Sequence, residues 1–262
     1  MTASSNIHPT AIVDPSAKVH PSCTVGPYCV IGPEVELGAN CRLLSHVAIG
    51  GPTSIGADNG FFPFCAIGMA PQDVTYKGEP TRLEIGDHNE IREFVTINRG
   101  TVKGGGLTKL GSHLLIMAYA HIGHDCVVED RAMLVNGATL AGHATVEEWA
   151  VIGAMSAVHQ FTRVGAHAYI GGGTIITRDV LPFSLTSAER DARAYSVNKV
   201  GLERRGFSKE RIAKIQHAYK VLLASKMNTS QALEKLKSEA DRGEDVDMVI
   251  RFIETSERGV IK

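Results

Sequence analysis

The chain has 262 residues, 44% of them hydrophobic and 21% charged, with a net charge of -1 at pH 7. That length supports a sizeable core and one or two domains, and the balanced charge lacks the basic excess of a nucleic-acid binder. No apolar run is long enough to span a bilayer, and the start, MTASSNIHPT, has neither the basic nor the apolar segment of a signal peptide. No integral membrane segment, no nucleic-acid partner and a cytoplasmic location are therefore expected.

From Ile7 every sixth residue is apolar for eleven positions, through Val13, Val19, Val25, Ile31, Leu37, Leu43, Ile49, Ile55 and Phe61 to Ile67. After a break the register returns at Ile85, Ile91 and Ile97. Then, moved on by one residue, it takes twelve more positions from Leu110 to Ile176. Neither a helix period nor strand alternation produces this pattern. A hexad repeat marks a parallel β-helix, in which each short strand and its corner form a unit that buries its apolar side chain only by stacking on neighbours. Four residues after each marker the side chain is small, as at Cys23, Cys29, Ala120, Ala132 and Ala144. One large and one small residue per face fill a narrow prism without voids. Glycines that follow the markers, such as Gly26, Gly32, Gly123 and Gly165, are expected to turn the corners with positive φ. Three hexads close one coil, so residues 18 apart stack at about 4.8 Å.

All five cysteines occupy the small-residue positions, which packing explains. Neither a disulfide framework nor a catalytic thiol at Cys126 is favoured, because an inward-facing thiol is ordinarily inert. The first break would place Asp73 and Glu79 in the core, so a loop near 68–84 must leave the coil. A second excursion, near 98–109, contains Gly104, Gly105 and Gly106 and absorbs the one-residue shift. Such loops either carry function on a rigid scaffold or are plain surface insertions.

Repeats cease near Pro182, where composition turns to helix formers. The expected division is a β-helix over 1–187 and an α-helical domain over 188–262. A short helix is expected over 201–205. Ser208 caps a second, with Ile212, Ile215, Tyr219 and Leu222 on one face; Thr229 or Ser230 opens a third, and 245–257 forms the last. Between 199 and 220, seven basic residues stand against two acidic ones. This is either a solvated helical face or a dock for an anionic partner.

The chemistry concentrates at four histidines, His121, His124, His143 and His159. The stacking rule places His124, Gly142 and Gln160 in one column, with His143 beside its middle and His121 and His159 at nearby corners. A neutral imidazole suits a general base at cytoplasmic pH, the adjacent Asp125 can orient it, and the Gly142 N-H can donate to an oxyanion. Base plus oxyanion donor indicates acyl transfer. No serine has a convincing His partner, which favours direct attack by an acceptor hydroxyl. A zinc site built from His121, His124 and His143 is the competing reading, without a Cys or carboxylate that completes it cleanly.

The segments PQDVTYKGEPTRLEIGDHNEIREFVTINRGT, GGGLTKLGSHLLIMAYAHIGHDC, NGATLAGHA, AVHQF and GLERRGF resemble the acyl-[acyl-carrier-protein]:UDP-N-acetylglucosamine O-acyltransferases that begin lipid A synthesis. The resemblance covers essentially the whole chain and implies left-handed winding. It also implies a homotrimer with sites between neighbouring β-helices and no metal or cofactor. The 3-hydroxyl of UDP-N-acetylglucosamine would attack the thioester of a 3-hydroxyacyl carrier protein. By motif, His124 would be the base, Asp125 its partner and Gly142 the oxyanion donor. Gln72, Asp73 and His121 would serve the sugar side, His143 the sugar or pyrophosphate, and His159 and Gln160 the acyl region. Asn198, Arg204 and Arg205 would bind the nucleotide, and Gly172 would gauge acyl length.

The sequence departs from that pattern in places. Thr75 stands where the family carries a phosphate-binding Lys, with Lys77 two positions on as a substitute; Val200 replaces an acidic residue, and SAERDARAY differs from the family's loop. Other readings are a variant acylating a 3-amino sugar, and a noncatalytic hexad scaffold. A related N-acyltransferase with an additional N-terminal domain is disfavoured by hexads that begin at Ile7.

Overall fold

The computed structural model describes residues 6–187, 193–224 and 227–261. Two- to four-residue strands wind into a left-handed parallel β-helix whose three faces are sheets of nine, eight and ten strands. Register follows the hexads: Ile12 pairs with Val30, His121 with Thr139 and Thr139 with Ala157, each one coil of 18 residues on. Across the two excursions the step lengthens, so that Ala66 pairs with Thr96 and Thr96 with His121. The markers from Val25 to Ile176 are buried at 4% exposure or less, and they run with the small residues as one continuous core. Burial of each large aliphatic side chain contributes about 1.5–3 kcal/mol, so the stack is stabilised along its whole length. Ile7, Val13 and Val19 are only partly buried at the open first coil. At the other end Ile261 plugs the core, its N-H donating to the Asp179 carbonyl at 2.8 Å.

The glycines after the markers do not supply the positive φ expected of them. Apart from Gly68, that conformation falls three residues after most markers, at Tyr28, Asn40, His46, Phe94, Asp125, His143, Trp149 and His167 among others, with φ between 56° and 67° for the non-glycine residues. Side chains there point outward and stack coil on coil. Rings of Tyr28, His46, Phe64, Phe94 and Tyr119 form one such ladder at 4.8–5.0 Å. Glycine is needed after the marker because the next coil lies against it: a Cβ on Gly26 would stand 2.4 Å from the Leu44 carbonyl oxygen, and one on Gly153 2.3 Å from that of Ile170.

The chain leaves the coil over 70–81 and 99–106. Arg99 ties the two excursions together, donating to the Gly68 carbonyl at 2.6 Å and to the Tyr76 hydroxyl at 3.3 Å, while Asn98 donates to the Ala70 carbonyl at 2.9 Å.

Beyond the coils, Ser184–Ser187 and Arg193–Val197 form an antiparallel pair that leads into four helices, α1 Lys199–Arg204, α2 Lys209–Tyr219, α3 Thr229–Ser238 and α4 Glu244–Glu254. Asn198 caps α1, which starts two residues before the expected position. Ser208 caps α2 as expected. Thr229 opens α3 as expected, and Asn228 before it is the cap, exchanging hydrogen bonds with Gln231 in a capping box. Ile212, Ile215, Tyr219 and Leu222 are buried with Val249 and Phe252 in a second core. Arg163 joins the two cores, its guanidinium 3.9 Å from the Phe252 ring centroid and donating to the Phe252 carbonyl at 2.8 Å. Three of the seven basic residues over 199–220 are paired with carboxylates: Arg211 with Asp245 at 2.8 Å, Lys214 with Asp241 at 2.9 Å and Lys199 with Glu203 at 3.7 Å. Residues 188–192, where the sequence departs from the family's loop, lie outside the described residues.

Candidate active site

One corner of the prism carries the histidines. His121 opens the strand His121–Ile122, and the chain then turns through His124 and Asp125. One coil on, the same turn holds Gly142 and His143, and a further coil on it holds Gln160 and Phe161. Backbone bonds fix the stack: His143 N-H donates to the His124 carbonyl at 2.9 Å, and Phe161 N-H to that of Gly142 at 3.3 Å. His121 and His159 flank this one corner instead of occupying neighbouring ones, His159 following the strand Ala157–Val158.

His124 and Asp125 form a pair at 2.7 Å between Nδ1 and Oδ2, with the carboxylate side chain 1% exposed and the imidazole 18%. Two more donors hold that carboxylate: the Thr101 N-H reaches Oδ1 at 2.7 Å and the Thr101 hydroxyl reaches Oδ2 at 2.6 Å. The Asp125 N-H donates to Thr108 Oγ1 at 2.8 Å. A buried acceptor with only acceptor atoms requires a proton on His124 Nδ1, which leaves Nε2 with a free lone pair. Gly142 lies directly beneath that edge of the ring. A Cβ there would be 2.5 Å from Cε1 and 2.7 Å from Nε2 of His124. Among the hydrogen bonds of the described residues, the Gly142 N-H donates to no protein acceptor.

His143 completes the corner. Its ring stacks on Phe161 at 4.3 Å and meets His124 edge-on at 5.2 Å, and its Nε2 is 3.6 Å from Asp125 Oδ2. Burial lowers its pKa against the opposing pull of Asp125. Burial, with the charge of His124, also lowers the pKa of His121, whose Nδ1 is paired with the Thr96 hydroxyl at 2.7 Å. The excursion over 70–81 brings Asp73 close enough for its charge to act on both His124 and His143. Hydrogen bonds from the Thr75 N-H and hydroxyl hold the Asp73 carboxyl below its usual range, with His124 and Lys103 adding to the effect. Gln72 is exposed on the same excursion, and His159 and Gln160 are exposed beside Phe161.

The remaining predicted residues are not at this corner. Gly172 lies on the corner after Ile170, one step back along the coil. Asn198, Arg204 and Arg205 gather near the corner of Trp149 and His167, one step forward. There Asn198 donates to the His167 carbonyl at 3.1 Å and accepts from the Gly201 N-H, while Arg205 donates to the Trp149 carbonyl at 2.8 Å and lies over its ring. Arg205 keeps a buried guanidinium nitrogen without a partner among the described residues, and Arg204 is exposed.

Sequence reasoning missed Thr101, Thr108 and Gly104. Asp125 packs so closely on Gly104 that a Cβ would lie 2.1 Å from its carboxyl carbon. The glycine run and the one-residue shift near 104–106 were the available signal; the contact partner was not. The ligand set of the zinc alternative is not the one that the structure brings together among the described residues. His124, Asp125 and His143 are the ligand-capable groups that converge, His121 is committed to Thr96, and the Asp125 oxygens already accept from Thr101 and His124. Cys126 is no competing nucleophile, since burial pushes its thiol up to about 12 and its S-H donates to the Ala141 carbonyl.

An imidazole held in one tautomer over an unoccupied N-H, carried by stacked hexads, suits acyl transfer, and the chain is an acyltransferase. A family model described as Udp N-acetylglucosamine O-acyltransferase, domain 2, matches residues 179–261. Solved structures extend the likeness to the whole chain. A Francisella novicida UDP-N-acetylglucosamine acyltransferase is 40% identical over 97% of this chain and 93% of its own, with a TM-score of 0.94. The Acinetobacter baumannii relative is 41% identical over 98% and 99%, also at 0.94. An Arabidopsis UDP-N-acetylglucosamine acyltransferase is 31% identical over 98% and 100%, at 0.86. The chain belongs to the UDP-N-acetylglucosamine acyltransferase family. No helix among the described residues is long and apolar enough to cross a membrane.

Proposed function

We propose that this protein transfers a 3-hydroxyacyl chain from acyl carrier protein to the 3-hydroxyl of UDP-N-acetylglucosamine, the first step of lipid A synthesis, in the cytoplasm. The observation that carries this reading is the placing of His124 Nε2 over Gly142, with Nδ1 tied to the buried Asp125. His124 Nε2 takes the proton of the acceptor hydroxyl as its oxygen attacks the thioester carbonyl. The tetrahedral oxyanion accepts from the Gly142 N-H, and Asp125 stabilises the imidazolium. Collapse breaks the C-S bond, and His124 returns its proton to the departing thiolate. No metal or cofactor enters this scheme.

Asp73, Gln72, His121 and His143 surround the acceptor sugar, and His159 and Gln160 face the acyl region. Separation of Gly172 and the Asn198, Arg204 and Arg205 group onto the two other corners supports a homotrimer, in which a neighbouring copy brings them to the His124 corner. The unpartnered guanidinium nitrogen of Arg205 suits a phosphate there.

The test is acyl transfer with purified protein, UDP-N-acetylglucosamine, its 3-amino analogue and 3-hydroxyacyl carrier proteins of several lengths. Turnover of the hydroxyl sugar, with His124→Ala at least about 100-fold slower and still folded, is the expected result. Strict preference for the amino sugar, or full activity of His124→Ala, overturns it.

A further inference from the structure

Lys103 sits on the second excursion, in the single short turn Val102–Gly104, and its ammonium donates to Thr75 Oγ1 at 3.1 Å on the first. Thr75 passes the contact on: its hydroxyl donates to Asp73 Oδ1 at 2.9 Å and its N-H donates to the same oxygen at 2.7 Å. The charge of Lys103 therefore stands among Asp73 and, through it, the His124 and His143 corner. Lys77, the substitute expected from the sequence, is directed elsewhere. Its N-H donates to Glu79 Oε2 at 2.8 Å, and its charge acts on that same carboxylate.

An ammonium has three N-H donors, and Thr75 accepts from one of them. Among the described residues Lys103 has no other hydrogen-bond acceptor and no carboxylate at ion-pair distance, while Asp73 Oδ1 already accepts twice from Thr75. Two N-H donors are thus free at the mouth of the site, on an ammonium whose charge Asp73 approaches. On the reading given under Proposed function, the attacked hydroxyl at C3 and the diphosphate at C1 lie on one sugar ring. With O3 at His124, the first phosphate is one ring's width away, and Lys103 is the ammonium that the two excursions hold beside Asp73 and that corner.

We infer that Lys103, held by Thr75, binds the diphosphate of the sugar nucleotide and thereby sets the selectivity of this site for a nucleoside diphosphate-linked acceptor. This assignment rests on the acceptor named above, and its test separates the two. The other source of phosphate is the phosphopantetheine arm of the acyl carrier protein, which would make Lys103 a donor-side residue.

Calorimetric titration with UDP and with uridine is to be run on the full-length protein and on Lys103→Gln, Lys103→Ala and Lys103→Ala/Thr75→Lys. Steady-state KM values for the sugar nucleotide and for the carrier protein accompany it. Gln keeps a donor for Thr75 and removes the charge, so it separates phosphate binding from a mere clasp between the excursions. Loss of a charge-assisted hydrogen bond predicts UDP affinity about tenfold or more lower in Lys103→Gln and Lys103→Ala, with uridine affinity and melting temperature unchanged. KM for the sugar nucleotide should rise in step, while KM for the carrier protein stays within about twofold. The added Thr75→Lys ammonium, within a side chain's reach of the same point, should restore most of the UDP affinity. UDP binding by Lys103→Gln at the native level, an equal loss of uridine, or a KM change confined to the carrier protein each overturns the assignment. If the native protein binds UDP through Lys103 yet transfers no acyl group to the sugar nucleotide, the proposed reaction fails and the phosphate contact stands. A native protein that binds no UDP refutes both.

Discussion

Asp125→Asn tests the site at its most constrained point. The native carboxylate accepts from the Thr101 N-H at 2.7 Å, the Thr101 hydroxyl at 2.6 Å and His124 Nδ1 at 2.7 Å. An Asn can keep its carbonyl oxygen on the Thr101 N-H, and the hydroxyl can rotate to accept. Its amide nitrogen then faces His124 Nδ1 and demands a lone pair there, which moves the imidazole proton to Nε2 and removes the base. Loss of the charged hydrogen bond to an imidazolium costs about 1.5–3 kcal/mol, or about 10- to 150-fold. Loss of a competent general base extends this to about 100- to 10,000-fold. The expected result is a kcat about 1,000-fold lower. KM for either substrate should stay within about threefold, because the buried carboxylate touches neither. Steady-state kinetics near neutral pH, with a melting curve to confirm folding, make the measurement. A kcat less than tenfold lower in a folded variant would refute the tautomer argument and leave Asp125 a purely structural anchor for Thr101.

Gly142→Ala places a methyl group 2.5 Å from the His124 ring, so the imidazole must swing aside; kcat should fall at least about 100-fold, and a crystal structure should show the ring displaced. Gly172→Met should shorten the preferred acyl chain in the carrier-protein panel. Its Cβ would lie 3.1 Å from the Ala154 carbonyl oxygen, a tight but accommodated contact, and an unchanged length profile would remove Gly172 from that role. His167 carries a pH prediction: burial first, then the charge of Arg205, depresses its pKa from 6.5 to about 4, with Arg211 acting in the same sense and Asp245 against. The unfolded chain therefore binds a proton that the folded chain refuses between these values. Stability from this group is complete above pH 6.5 and is lost as pH falls toward 4, by at most about 3 kcal/mol. His167→Phe should flatten that limb of the stability profile relative to the native protein, and an unaltered slope would show that His167 does not titrate as buried.

The hexads determined by themselves where each coil lies, because a strand whose only large inward residue recurs every sixth position buries it in no other way. They placed His124, Gly142 and Gln160 in one column by arithmetic alone, and the interruption by Asp73 and Glu79 announced an excursion, since charges cannot enter so narrow a core. What turns the corner was not legible: positive φ fell on the outward residue three places after most markers, where stacked rings and the backbone bonds of the adjacent coil fix it, and glycine was kept mainly for close approach between coils. The Asp125 partners were also hidden. Thr101, Gly104 and Thr108 reach the carboxylate only because the second excursion folds back over the coil that bears it, a contact with no period in sequence. Lys103 stands by Thr75 for the same reason, where one-dimensional proximity had pointed to Lys77. Gly172, 48 residues after His124 in an unbroken register, falls two hexads off the His124 column by the same arithmetic, whereas only the tertiary structure decided that Arg205 lies at the corner of Trp149, because the helical segment has no period to place it. Periodicity is a local property that each hexad carries in itself; a site assembled from several corners is a property of the closed prism and of what packs against it.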